Sequence, residues 1–172
     1  MGKIVLNLAA SLDGFIASED GGVDWLNDFM QPGQDYGMKD FYARCSTAVM
    51  GAKTYEQTIS FNYWFGTMRG LVFSNRELPE APGKTIEFVR GDPSPALLAL
   101  KADPKDSWLV GGATLIAQVI NTNLLDELIL TVVPRLLGKG LSICPDLHAL
   151  KKLTLIGHRA FDDGVMQLQY RF

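Results

Sequence analysis

Short apolar runs alternate along this chain with stretches of helical character, and several runs end on a glycine that opens the next helix. That rhythm constrains the fold more than any other feature. Lys3 to Ala10 is apolar nearly throughout, as in a strand buried on both faces. Thr47 to Met50 reads as a second buried strand ending at Gly51, with Lys53 to Ile59 helical behind it. Gly70 to Phe73 and Ile86 to Val89 are further strands. A helix from Ser94 to Ala102 leads to the strand Ser107 to Val110, then Gly111-Gly112, a helix from Ala113 to Asn121, and a strand from Leu125 to Val133. This order implies a mostly parallel sheet with helices on both faces. The last two runs, Leu153 to Ala160 and Val165 to Phe172, flank the hairpin turn Asp162-Asp163-Gly164 and predict an antiparallel closing pair. The fold class is α/β.

Two further helices are expected early in the chain. One runs from Asp24 to Met30 with Asp24 as N-cap. The other runs from Tyr36 to Cys45 with Tyr36 and Phe41 facing inward. Phe15 to Ala17 is a short apolar run, and Ser18 to Gly22 a polar loop.

With 172 residues, one domain spanning 1–172 is expected. The net charge of −3 offers no basic field, which argues against a nucleic-acid partner. No apolar stretch approaches the ~20 residues of a membrane span. Asn7, Ser11 and Asp13 interrupt the first apolar run too early for a secretory signal, so the cytoplasm is the expected compartment. Cys45 and Cys144 lack disulfide-framework and metal-site spacing and read as free thiols. His148 and His158 have no partner ligands at useful spacing, and Asp126 and Glu127 read as strand-flanking charges.

Ligands in open α/β sheets bind beyond the carboxyl ends of the parallel strands. Three corners fall there: Asp13-Gly14, Gly51 with Lys53 and Thr54, and Gly111-Gly112 with Ala113 and Thr114. At the last two, a helix N-terminus offers unpaired N–H groups, and glycine admits a phosphate at close range. Lys53 adds a charge, and Thr54 and Thr114 add hydroxyls. Two such corners on neighbouring strands suit a pyrophosphate; strand-to-helix turns also favour glycine for backbone reasons alone. The pattern is not G-x-G-x-x-G, which disfavours an ordinary Rossmann domain.

Ala10-Ser11-Leu12-Asp13-Gly14-Phe15-Ile16-Ala17, Met50-Gly51-Ala52-Lys53-Thr54-Tyr55-Glu56, Leu109-Val110-Gly111-Gly112-Ala113 and Pro134-Arg135-Leu136-Leu137-Gly138-Lys139-Gly140 occur in this order. Asp24-Trp25-Leu26 and Leu125-Asp126-Glu127-Leu128 accompany them. The set resembles the dihydrofolate-reductase-like family that includes the C-terminal reductase domain of bacterial riboflavin biosynthesis enzymes, across nearly the whole chain. The resemblance implies a three-layer fold and an NADPH-dependent reductase. The substrate would be a small planar heterocycle, as for a 5-amino-6-(5-phosphoribosylamino)uracil reductase or a dihydrofolate reductase.

Carried over by position, Gly51, Lys53 and Thr54 would contact the cofactor phosphates. Ser74 and Arg76 would border its adenosine end. Gly111, Gly112, Ala113 and Thr114 would pack on the pyrophosphate and nicotinamide side, and Ala10 and Ile16 would line the nicotinamide pocket. Asp13 and Asp40 are the candidates for orienting substrate or relaying a proton. The family also implies a homodimer; the alternation Met166, Leu168, Tyr170, Phe172 offers one apolar face, which either meets a second copy or belongs to the core.

There are departures from the family's pattern. Ala52 stands where an arginine is common, which leaves Arg76 or Lys53 to meet a 2′-phosphate. The spacing from Asp40 to Phe41 differs from the dihydrofolate reductase pattern, and the Asp-Asp-Pro segment of riboflavin-pathway reductases is missing. Trp25, Tyr63, Trp64 and Phe65 are expected either to wall a pocket for a flat ring or to belong to the core. A non-catalytic nicotinamide-nucleotide-binding or interaction protein on the same fold is the alternative reading.

Overall fold

A computed structural model describes residues 1–172. The first apolar run forms β1 (Ile4–Ser11). It lies in the middle of an eight-stranded sheet, between β6 (Asp106–Gly111) and β7 (Glu127–Val133), parallel to both. Outward from β6 come β3 (Cys45–Gly51), β4 (Arg69–Phe73) and β5 (Ile86–Val89), each parallel to its neighbour. On the other side, β10 (Met166–Arg171) runs antiparallel to β7, and β9 (Thr154–Ala160) closes that edge. The expected α/β class, with a mostly parallel sheet and an antiparallel C-terminal pair, is what the chain adopts.

Strand alternation sorts the apolar side chains into two layers. Ile4, Leu6, Val49, Leu71, Leu109 and Leu128 point to one face. There they meet Leu97 and Leu100 of α3 (Ser94–Leu100) and Leu115, Ile116 and Val119 of α4 (Ala113–Asn121). Val5, Ala48, Met50, Val72 and Ile129 point the other way. They pack on Phe41 of α1 (Met38–Arg44) and Tyr55 of α2 (Ala52–Ser60). Three layers result. Tyr55 is fully buried, and its hydroxyl donates to the Pro79 carbonyl at 2.6 Å, which fixes the first turn of α2 against the sheet.

Phe65, expected at a pocket wall or in the core, is buried against Trp108 in the second layer. Cys45 is buried, Cys144 half-buried, and both are free thiols.

Three expectations are corrected. The helix expected from Tyr36 starts at Met38, because Tyr36 and Gly37 both take positive φ, 50° and 79°. The Asp35 carboxylate accepts the Gly37 and Lys39 N–H groups, each at 3.0 Å, and so fixes that turn. At its other end the helix stops at Arg44, and Cys45 is already extended. Residues Asp24–Phe29 form a 3₁₀ turn rather than an α-helix, and Asp24 is in its first turn rather than at its N-cap. No residue of that turn is buried, so no apolar face holds a regular helix there. A two-residue strand absent from the expected pattern, β8 (Leu141–Ser142), pairs with β2 (Phe15–Ala17).

Candidate active site

The strands β1, β3 and β6 deliver their carboxyl ends side by side, and a cleft of about 1170 Å³ opens over them. Its floor is the meeting of the two glycine corners. Met50 of β3 pairs with Gly111 of β6, which sets Gly51 beside Gly112. A Cβ placed on Gly112 would stand 3.6 Å from Thr54 Oγ1 and 3.8 Å from the Gly51 backbone, and φ at Gly112 is 92°. The space above these glycines is therefore kept open by their lack of side chains.

Both α2 and α4 begin at this floor, nine residues each, and neither has a side chain capping its first turn. Their leading N–H groups and positive dipole ends face the same cleft. Thr54 and Thr114 line it, and no hydrogen bond within the protein engages either hydroxyl. Lys53 lines it as well and pairs with no carboxylate. The donor set is suited to an anion with several oxygens, such as a pyrophosphate.

At the far end, Ser74 and Arg76 border the cleft. The Ser74 hydroxyl donates to the Arg76 carbonyl at 2.8 Å, and the Asn75 side chain accepts the Gly91 N–H at 3.0 Å, so this loop is closed on itself. The near end is apolar: Leu8, Ala9, Ile16, Ala17, Val23 and Leu26. Ala10 itself is 3% exposed and does not line the cleft; its neighbour Ala9 does.

Neither expected carboxylate lines the cleft. Asp40 is exposed on α1 and makes no hydrogen bond. Asp13 accepts the Ser11 hydroxyl at 2.6 Å and the N–H groups of Leu137 and Gly138 at 3.1 and 2.7 Å. The Ser11 hydroxyl, ahead of the two amides, holds its carboxyl below the usual range. An anion held this way anchors the loop after β7; it is poorly suited to deliver a proton. That loop turns back at Gly140, where a Cβ would come within 2.2 Å of the Ala17 carbonyl. Gly138-Lys139-Gly140 was the sequence signal for this close approach.

Tyr63 and Trp64 line a separate groove beside the cleft. Trp25 is half-buried, and its indole N–H has no partner in the protein. The loop Ser18–Gly22 was missed as part of the site. Asp20 and Gly21 line the cleft, and Gln57 of α2 donates to the Gly21 carbonyl at 3.4 Å, tying the loop across one side. No cluster of side chains with metal-holding geometry exists, and no helix is long and apolar enough to cross a membrane.

A mostly parallel sheet between two helical layers, with a glycine-floored cleft at its carboxyl edge, defines a dihydrofolate-reductase-like α/β protein. Residues 2–167 match the RibD C-terminal domain family, and the chain belongs to it. It is thus a reductase-like domain. Over 170 residues it is 34% identical to the uncharacterized protein YwjB of Bacillus subtilis (strain 168), covering 98% of this chain and 97% of that one. The crystal structure of a putative riboflavin biosynthesis protein from Shewanella sp. PV-4 superposes with a TM-score of 0.87 at 27% identity, over 98% of both chains. Dihydrofolate reductase from Enterococcus faecalis, complexed with NADP(H), shares the fold at a TM-score of 0.68 and 18% identity, over 99% of this chain and 96% of that one.

Proposed function

We propose that the chain is an oxidoreductase that uses NADPH to reduce a small planar heterocycle. The observation that carries this reading is the convergence of two uncapped helix N-termini, floored by Gly51 and Gly112, on one cleft. When bound, NADPH supplies the hydride.

The chain's own residues bind and orient. Gly51, Thr54, Gly111, Gly112, Ala113 and Thr114 cradle the pyrophosphate through backbone N–H groups and hydroxyls, and Lys53 neutralises part of its charge. Ser74 and Arg76 flank the adenosine. Ile16, Ala9 and Ala17 form the apolar wall against which a nicotinamide ring lies, and they exclude water from the reacting face. Asp13 acts at a distance, by holding the loop that braces Ala17.

The protein works as a homodimer in the cytoplasm. Met166 and Leu155 on the C-terminal strands and Phe172 just past them, 37%, 50% and 37% exposed, present apolar surface that a second copy would cover. Sedimentation of the chain with Met166→Lys and Leu155→Lys should then give a monomer where the parent sediments as a dimer.

Titration with NADPH, followed by thermal stability and nicotinamide fluorescence, tests the cofactor reading. A ligand at a hundredfold its Kd stabilises by about 2.7 kcal/mol, a readily measured shift. Absence of any shift with millimolar NADPH or NADH sinks the proposal. Binding without turnover of any pterin or pyrimidine would favour the non-catalytic nucleotide-binding protein instead.

A further inference from the structure

The cleft is lined by two cations, Lys53 and Arg76, and their situations differ. Lys53 is exposed and pairs with nothing. The Arg76 guanidinium makes a two-pronged pair with Glu56, Nη1 to Oε1 at 2.7 Å and Nη2 to Oε2 at 2.5 Å. Glu56 follows Thr54 and Tyr55 in the first half of α2, but it lines the neighbouring groove rather than the cleft. The pair therefore stands at the partition between the two, with the guanidinium turned to its carboxylate.

Glu56 occupies the end-on Nη1–Nη2 fork of the guanidinium and offsets its charge, which leaves a phosphate only the Nε edge. A phosphate arriving at the adenosine end meets a cation already neutralised and a carboxylate of its own sign beside it. Ala52 provides no second guanidinium. NADPH and NADH differ only by the 2′-phosphate on the adenosine ribose, so this pair bears on one difference between them and on nothing at the nicotinamide end.

We propose that Glu56 sets the cofactor preference of this chain: by holding Arg76 it leaves NADPH and NADH bound with little discrimination, and its removal converts the site to one that prefers NADPH. The inference rests on the cofactor reading above. Glu56 is a specificity-determining residue that acts through Arg76. Both side chains are exposed, 38% and 55%, so the pair is weak and readily broken by substitution without loss of fold.

The test measures dissociation constants for NADPH and NADH on the full chain, its E56Q and R76Q variants, and the double variant. E56Q should tighten NADPH by roughly three- to tenfold and leave NADH within about twofold, the range expected when one exposed pair is exchanged. R76Q should leave the two nucleotides nearly equal, and E56Q should tighten NADPH less in the R76Q background than in the parent, the difference being the part of the Glu56 effect that runs through Arg76. A parent chain that binds both nucleotides, with a ratio unmoved by E56Q, overturns this inference and leaves the cofactor reading standing. Equal tightening of both nucleotides by E56Q also overturns it. A parent chain that binds neither overturns both.

Discussion

Thr54 and Gly112 face each other across the floor of the cleft, with Thr54 Oγ1 only 3.6 Å from where a Cβ on Gly112 would sit. Thr54 lies in the first turn of α2 and Gly112 is the residue just before α4, so their closeness brings both helix N-termini to one cleft. Gly112→Val should fill this gap and abolish nucleotide-dependent stabilisation. Because Gly112 combines φ 92° with ψ 107°, a backbone conformation unfavourable to any residue with a side chain, the substitution should also cost about 1–3 kcal/mol of stability in the free protein. Thermal melts with and without NADPH separate the two effects.

Lys53 contributes charge without structural partners. Lys53→Glu should leave the melting temperature of the free protein within a degree or so, yet weaken NADPH by roughly tenfold or more. The wild-type affinity should fall with added salt, and the variant's should fall less. Fluorescence titration at two ionic strengths checks both parts.

Asp13 gives the pH dependence its sign. Its folded pKa lies below its unfolded value, so its contribution is fully present above about pH 4 and is lost as pH falls through the folded pKa. Asp13→Asn keeps the shape but not the charge. Hydrogen exchange at the Leu137 and Gly138 amides should speed up in this variant near neutral pH, and the difference from wild type should vanish in strong acid. Equal protection at pH 7 would show that the carboxylate does not hold the loop.

Glu127 provides a control far from the cleft. It is 4% exposed at the start of β7, paired with Lys3 and with Arg44 at 3.1 Å. Burial pushes its carboxyl up, but Lys3 and Arg44 more than offset this, so its pKa stays below the usual glutamate value. Glu127→Gln should cost about 1–3 kcal/mol in urea denaturation and leave nucleotide affinity unchanged.

The parallel sheet was readable because its strands are apolar on both faces and end at glycine corners, signals that survive without knowledge of tertiary contacts. The same signals located on the cleft Gly51, Gly111 and Gly112, whose backbone duties leave a mark in residue type. Side-chain duties were less legible. Nothing in the run Ser11-Leu12-Asp13-Gly14 says that Asp13 will accept amides from residues 137 and 138, and it read as a reactive carboxylate. Glu56 and Arg76, 20 residues apart, gave no sign of pairing either, since opposite charges at that distance meet only when a particular sheet register brings α2 beside the loop after β4. Asp24 looked like an N-cap because capping residues are also common in turns. What decided against a helix was the lack of anything for its face to bury.

The place of β1 in the sheet has a consequence for how the chain is made. Its two neighbours begin at residues 106 and 127, so the first strand cannot be paired until about a hundred more residues have been synthesised. At roughly 5–20 residues per second, an apolar segment with both hydrogen-bonding edges open waits several seconds or more on the ribosome. A strand that must end in the middle of the sheet emerges well before either of its neighbours and is enclosed late. Its protection during that interval falls to the chain's own collapse or to a chaperone, and folding in the test tube should be slow for a protein of this size.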